Sequence, residues 1–326
     1  MLLTLAMLGA TSICTAAPTL YPVVVNGRWG FINKSGDTVV NPQFDQAEVF
    51  AEGLAAVRLG KWGFVDASGK VVINPQFDKA DAFSDGLAAV RLGGGPTPFN
   101  PFGLGGRYGY INPDGKYVVN PQFDDAGTFA GGLAAVKLGG HWGFIDKTGK
   151  FVINPQFDDA GAFTEGLAAV KMGGKFGYTD NTGKLVINPQ FERALPFSEG
   201  LAGIRSGGKW GFVDKTGKIT INPQFDEVGS FVNGLAPARQ KQWGYIDTTG
   251  KFVINPQFDE AGAFSEGLAP VRQSGRWGYV NPGGKLVINP QFDEAASFTN
   301  NLAWVKVGGR FGYIDASGKY IWNPAK

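Results

Sequence analysis

Five pairs of adjacent carboxylates come nearest to chemistry by type and spacing: Asp124-Asp125, Asp158-Asp159, Asp226-Glu227, Asp259-Glu260 and Asp293-Glu294. Side-by-side acids could hold calcium through oxygen, but the alternating ligand spacing of an EF-hand loop is missing. They could hydrolyse a glycoside, but that reaction needs one distinctive pair in a cleft, and these pairs are alike and evenly spread. They read as a solvated acidic face. His141 is the only histidine and stands where other copies of the same local sequence carry Lys61, Lys175 or Lys209, so it reads as a neutral surface variant. With one histidine and the single cysteine Cys14, the inventory excludes zinc held by these residues and a Ser-His triad. No residue is assigned a catalytic, cofactor-binding or metal-binding role, and the chain is expected not to be an enzyme.

Repetition organises the remaining candidates. Arg58, Arg91, Lys137, Lys171, Arg205, Arg239, Arg272 and Lys306 recur at one place in the repeat and the acids at another, which predicts a basic and an acidic stripe if the copies stack in register. Such stripes serve solubility and ion pairing between neighbours, each exposed pair worth about 0 to 1 kcal/mol, or form a charged groove for an extended partner. A third column is aromatic: Trp29, Trp62, Tyr108, Trp142, Phe176, Trp210, Trp243, Trp277 and Phe311, each followed by Gly. Trp on a β surface can stack on sugar rings, but Trp beside Gly and alternating with Ile or Val more often fills a core, and core is favoured here.

These columns need elements to hold them. The aromatic-Gly pairs lie at intervals of 33, 46, 34, 34, 34, 33, 34 and 34 residues. A unit of about 34 residues cannot bury its own apolar face and must stack on its neighbours. Within each unit, segments such as Leu-Ala-Ala-Val-Lys, Trp-Gly-Tyr-Ile-Asp and Lys-Phe-Val-Ile-Asn-Pro-Gln-Phe are short, β-branched or aromatic, and bounded by turn residues, so they read as three strands. Asp146-Lys147-Thr148-Gly149-Lys150, repeated at 66–70, 180–184, 214–218, 247–251 and 315–319, predicts a hairpin with Asp bonding the turn backbone and Gly at positive φ. The pair Gly139-Gly140 closes the other hairpin. The stretch from Gln156 to Gly166 reads as a short helical turn or ordered loop with solvated acids. Each Asn-Pro step is expected to mark where pairing stops and the chain peels off.

Two segments break the rule. Residues 95–106 add 12 residues with three prolines, and Phe99, Phe102 and Leu104 make this insertion the candidate partner-binding loop. Residues 1–17 have an apolar run from Leu2 to Ile13 followed by small residues, the pattern of a secretory signal peptide cleaved near Ala16 or Ala17, although no Lys or Arg precedes the run. Cleavage would leave a single domain, 18–326, without cysteine. The formal charge of +2 and the absence of a basic run argue against nucleic acid as a partner.

The Trp-Gly-[Phe/Tyr]-[Ile/Val]-[Asp/Asn], Gly-Leu-Ala and Asn-Pro-Gln-Phe signatures, the last recurring eight times, resemble the WG-containing repeat (KWG repeat) family of bacterial proteins. Departures are Tyr108, Phe176 and Phe311 in place of Trp, and Asn301 in place of Gly. The resemblance implies an all-β repeat protein, commonly exported or surface-associated, and carries no catalytic residues to transfer. The expected fold is all-β, a tandem repeat of nine short three-stranded antiparallel meanders stacked as an open curved array, with a closed propeller-like ring as the alternative. Complete meanders at both ends favour the open form. The expected function is an exported, secreted, periplasmic or cell-surface scaffold for protein–protein interaction. A glycan or cell-envelope binding module is the alternative, and an enzyme the remote one.

Overall fold

The computed structural model describes residues 19–93 and 105–323, which form strands and turns with no helix among them. The leader segment lies outside the described residues, as do Phe99, Phe102 and Leu104 of the insertion.

The unit containing Trp142 shows how the sequence sets the sheet. Leu133–Leu138, His141–Asp146 and Phe151–Phe157 pair antiparallel in chain order. Ala134, Ala135 and Val136 are all buried, because both faces of the first strand are covered, and small and β-branched side chains fit between packed sheets. Gly139 and Gly140, at φ 61° and 87°, turn the chain into the second strand. The next hairpin closes as expected. Asp146 N–H donates to Lys150 O at 2.9 Å, Gly149 N–H to Asp146 O at 2.9 Å, and the Asp146 carboxylate accepts the Thr148 amide and hydroxyl.

The third strand departs from expectation at Asn-Pro. Pairing is interrupted there and then resumes: Phe144 opposes Ile153 and Trp142 opposes Phe157, leaving Asn154, Pro155 and Gln156 opposite Gly143 alone. A Cβ on Gly143 would stand 2.5 Å from Ile153 O and 2.7 Å from Pro155 N, so the bulged backbone occupies the space a side chain would need. The same contact recurs at Gly30, Gly63, Gly109, Gly177, Gly211, Gly244 and Gly278.

The connection between units also differs. It holds a fourth strand two residues long, Asp125–Ala126 in this unit, which pairs with Lys137 and Val136. Neither a helical turn nor a plain loop forms, and the connection's acids are engaged. Among the described residues nine sheets result, the first three-stranded (Tyr21–Val25, Arg28–Ile32, Thr38–Phe44) and the other eight four-stranded.

The sheets are the blades of a closed, nine-bladed β-propeller-like ring, and the open array gives way to its alternative. Apolar clusters straddle neighbouring blades: Phe144, Ile153 and Phe157 pack with Phe163, Ala168 and Val170 of the next unit. Each such buried ring or branched chain contributes about 1.5–3 kcal/mol. One more cluster of this kind joins the two ends, combining Tyr21, Val23 and Ile32 of the first blade with Leu302 and Tyr313 of the ninth, whose strands run Glu294–Ala295, Ala303–Val307, Arg310–Ile314 and Tyr320–Trp322. Closure needs no shared strand. Tyr21 and Tyr313 pack edge to face with centroids 5.5 Å apart, and Gly36 of the first blade stands against the backbone of Ile321 in the ninth.

Candidate functional site

Charged groups expected on two separate stripes are brought together. The short strand places its acid directly opposite the cation of the next strand: Glu227 opposes Arg239, Glu260 opposes Arg272 and Glu294 opposes Lys306. Their ion pairs measure 3.1, 2.6 and 2.8 Å. Basic and acidic residues therefore interleave within one stripe. As partly exposed pairs, each contributes at most about 1 kcal/mol.

The acid that follows Asn-Pro-Gln-Phe, aspartate in all copies but Glu192, has a second task that the sequence reading missed. Asp226 accepts the Lys241 amide at 3.0 Å and Lys209 Nζ at 2.5 Å, tying the blade before it to the blade after it. Asp45, Asp124, Asp259 and Asp293 accept the equivalent amides of Gly60, Gly139, Gly275 and Gly308. The Lys209 ammonium, then the Lys241 amide, hold the Asp226 carboxyl below its usual range; for Asp45 the Gly60 amide is the main cause. Glu52, Glu165, Glu199 and Glu266 make a parallel series, accepting amides of Gly86, Gly200, Gly234 and Asn301 in the following unit. The regular recurrence of an acid before each glycine turn was the available signal.

Trp29, Trp62, Trp142, Trp210, Trp243 and Trp277 are partly buried at the margin of the core, and Phe311 is 38% exposed. The fully buried column lies two residues on, at Phe31, Phe64, Tyr110, Phe144, Tyr178, Phe212, Tyr245 and Tyr279. The core assignment of Trp is corrected accordingly: its outer edge shares a cleft with the charges. One cleft of about 570 Å³ is lined by Arg205 and Trp210 on one blade and by Asp226, Glu227, Arg239 and Trp243 on the next. A second, about 510 Å³, repeats most of the set, with Glu227, Arg239, Trp243, Asp259, Glu260 and Trp277 but without Arg272. Arg239 lies over the Trp243 ring, 5.9 Å from its centroid. His141 begins its strand exposed, as expected of a surface variant.

The closing seam carries a different kind of cavity. About 290 Å³ is enclosed chiefly by apolar groups, among them Val24, Trp29, Val49, Trp304, Phe311 and Trp322. No cluster of three metal-ligating side chains occurs among the described residues, and they hold no helix long and apolar enough to cross a membrane.

The WG containing repeat model matches residues 29–61, 62–95, 108–141, 142–176, 176–210, 210–242, 243–277 and 277–311. The chain belongs to the WG-containing repeat family. No curated protein sequence matches this WG-repeat chain. Among solved structures, that of a eukaryotic initiation factor is similar with a TM-score of 0.67 over 94% of this chain and 95% of that one, at 10% identity. That likeness concerns the fold alone. Dihydro-heme d1 dehydrogenase NirN (TM-score 0.47, 11% identity, 95% of this chain and 75% of that one) is a weaker match. So is PorZ, a surface component of the type-IX secretion system of Porphyromonas gingivalis (TM-score 0.34, 11% identity, 94% and 50%). Neither bears on function.

Proposed function

We propose that this WG-repeat protein is an exported, non-enzymatic scaffold that binds a protein partner through the cation–aromatic–carboxylate clefts between its blades. The observation that carries the reading is repetition: Arg205, Trp210 and Asp226 at one boundary are matched by Arg239, Trp243 and Asp259 at the next. Equivalent sites around a ring suit multipoint contact with an extended or repeating surface. Arg and Trp anchors flanked by acids are also the side chains that dominate protein interfaces. Export rests on the leader-like segment at residues 1–17.

The test is cross-linking in intact cells followed by binding of the purified partner to wild type and to an Arg239→Glu, Arg272→Glu double variant. Wild-type binding should weaken with salt, and the double variant should bind about tenfold or more weakly. Salt-independent binding with no effect of the variant would dismiss the clefts. Mass spectrometry of the native protein checks export by locating its first residue near Ala17 or Pro18.

The half-exposed Trp edges favour a second reading, a glycan of the cell envelope stacked on Trp243 and Trp277. Trp243→Ala would then abolish quenching of fluorescence by envelope oligosaccharides while leaving the charge-dependent partner untouched.

A further inference from the structure

Eight of the nine blades carry a two-residue strand along the edge of their first long strand, and the first blade has none among the described residues. In the second blade this strand is Gln46–Ala47, paired with Arg58 and Val57. The Asp45 amide donates to Arg58 O at 2.8 Å and the Glu48 amide to Ala56 O at 2.9 Å. The matching residues of the first blade, by their pairing with Trp29, Gly30 and Phe31, are Val24, Val23 and Pro22. Pro22 O is taken by the Tyr313 hydroxyl at 2.9 Å, while no strand among the described residues lies opposite the Val24 N–H and C=O.

The walls around this edge are unlike any other boundary. Val24 stands where the other blades carry Arg or Lys, Val49 where they carry Ala, Thr, Pro or Ser, Trp304 where the other eight carry Ala, Gly or Pro, and Trp322 where others carry Ile or Val. All four line the 290 Å³ cavity. A second cavity of about 280 Å³, sharing Pro22, Val49, Trp304 and Tyr313 with it, continues along the edge. Val49 is 60% exposed, so a bulky apolar group faces open space there.

We propose that the seam is a docking site for an extended segment of another polypeptide, which adds the missing short strand to the first blade and inserts an apolar side chain beside Val24. The open N–H and C=O of Val24 select an extended backbone. Val24 in place of a cation selects an apolar residue where the other blades' strands carry a polar or charged one. This rests on the reading of the protein as a scaffold for protein partners and names one class of partner segment.

The probe is a synthetic peptide with the sequence of residues 224–232, which contains the short strand Glu227–Val228, and a second peptide carrying Glu227→Leu. Binding is followed by the fluorescence of Trp29, Trp304 and Trp322. The Leu peptide should bind about tenfold tighter than its parent, the effect of burying one apolar side chain. Val24→Arg, which restores the residue type of every other blade, should weaken the Leu peptide about tenfold without changing the melting temperature. Val24→Pro should act similarly by removing the N–H, and the fold tolerates proline on this strand, as Pro237 and Pro270 show. Equal binding of both peptides, or binding unaffected by Val24→Arg, overturns the proposal. Binding to a processed chain but not to one retaining residues 1–18 assigns the groove to the chain's own leading residues and overturns it as well. A cross-linked partner held equally by wild type and Val24→Arg, with no peptide binding, leaves the scaffold standing and removes the seam from it.

Discussion

Gly143 explains more of this molecule than any charged residue does. Trp-Gly reads in sequence as an aromatic with a small neighbour, and the structure shows why the neighbour is small: the backbone of Ile153 to Pro155 passes through the space of its missing side chain. Gly143→Ala should therefore destabilise by about 3 kcal/mol, the upper range of overpacking, because backbone cannot move aside as a side-chain tip can. Urea unfolding measures it. A loss of only a few tenths of a kcal/mol would show the bulge to be soft. The buried tyrosines give a second prediction. Tyr178 and Tyr245 donate to Leu195 O and Gly262 O at 2.7 and 2.8 Å, and burial pushes their hydroxyl pKa values well above the ordinary tyrosine range. A raised folded pKa means that stability is intact below the unfolded value near pH 10 and falls as pH rises beyond it, since only the unfolded state ionises easily. Alkaline titration by tyrosinate absorbance should show these rings ionising together with unfolding. Gradual ionisation of the intact fold would contradict this.

At the scale of the element, hairpins were legible and the fourth strand was not. Asp, Thr and Gly at fixed offsets announce a turn because their side chains and φ preferences act locally. The short strands, Asp159–Ala160 or Glu260–Ala261, have too few residues for alternation to show and too little β propensity to stand alone. Their position is set by the neighbouring strand and by the aspartate that caps its hairpin. Asn-Pro was misread for a related reason: proline does interrupt the ladder, but Gly143 lets the strand bulge and rejoin at Phe157. The hairpin aspartates carry a further prediction. In Asp146, Asp180, Asp214 and Asp247 the hydroxyl of the threonine two residues on is the main cause holding the carboxyl below its usual range, followed by amides of the turn. Lowered folded values stabilise above the unfolded pKa near 3.9, and that stabilisation is lost as pH falls through the folded values beneath it. Thermal melts should be flat from pH 6 to 5 and drop steeply below about pH 4. Replacing all four by Asn should flatten that drop, and an unchanged acid limb would place the sensitivity elsewhere.

Ring closure belongs to the whole molecule and could not be read from any unit. The repeat fixes how one blade meets the next, but whether nine such steps complete a circle depends on a small rotation summed nine times, which no residue type encodes by itself. Complete meanders at both ends suggested an open array. They are instead compatible with a ring sealed by side chains, because Tyr313 donates to Pro22 O, which in other blades accepts an amide from the short strand, and Tyr21 donates to Asn300 O at 2.6 Å. Among the described residues this boundary lacks the backbone pairing of the others, so it should open first. Hydrogen exchange should find the amides of Tyr21–Val25 and Tyr320–Trp322 exchanging ahead of Leu167–Met172 and Leu185–Phe191 in the interior of the ring. Tyr313→Phe should speed exchange at both ends together, since they share one contact, whereas Tyr178→Phe should act only around its own boundary. If Tyr313→Phe affected the ninth blade and left the first unchanged, the two ends would not be closing on each other, and the open array would be restored.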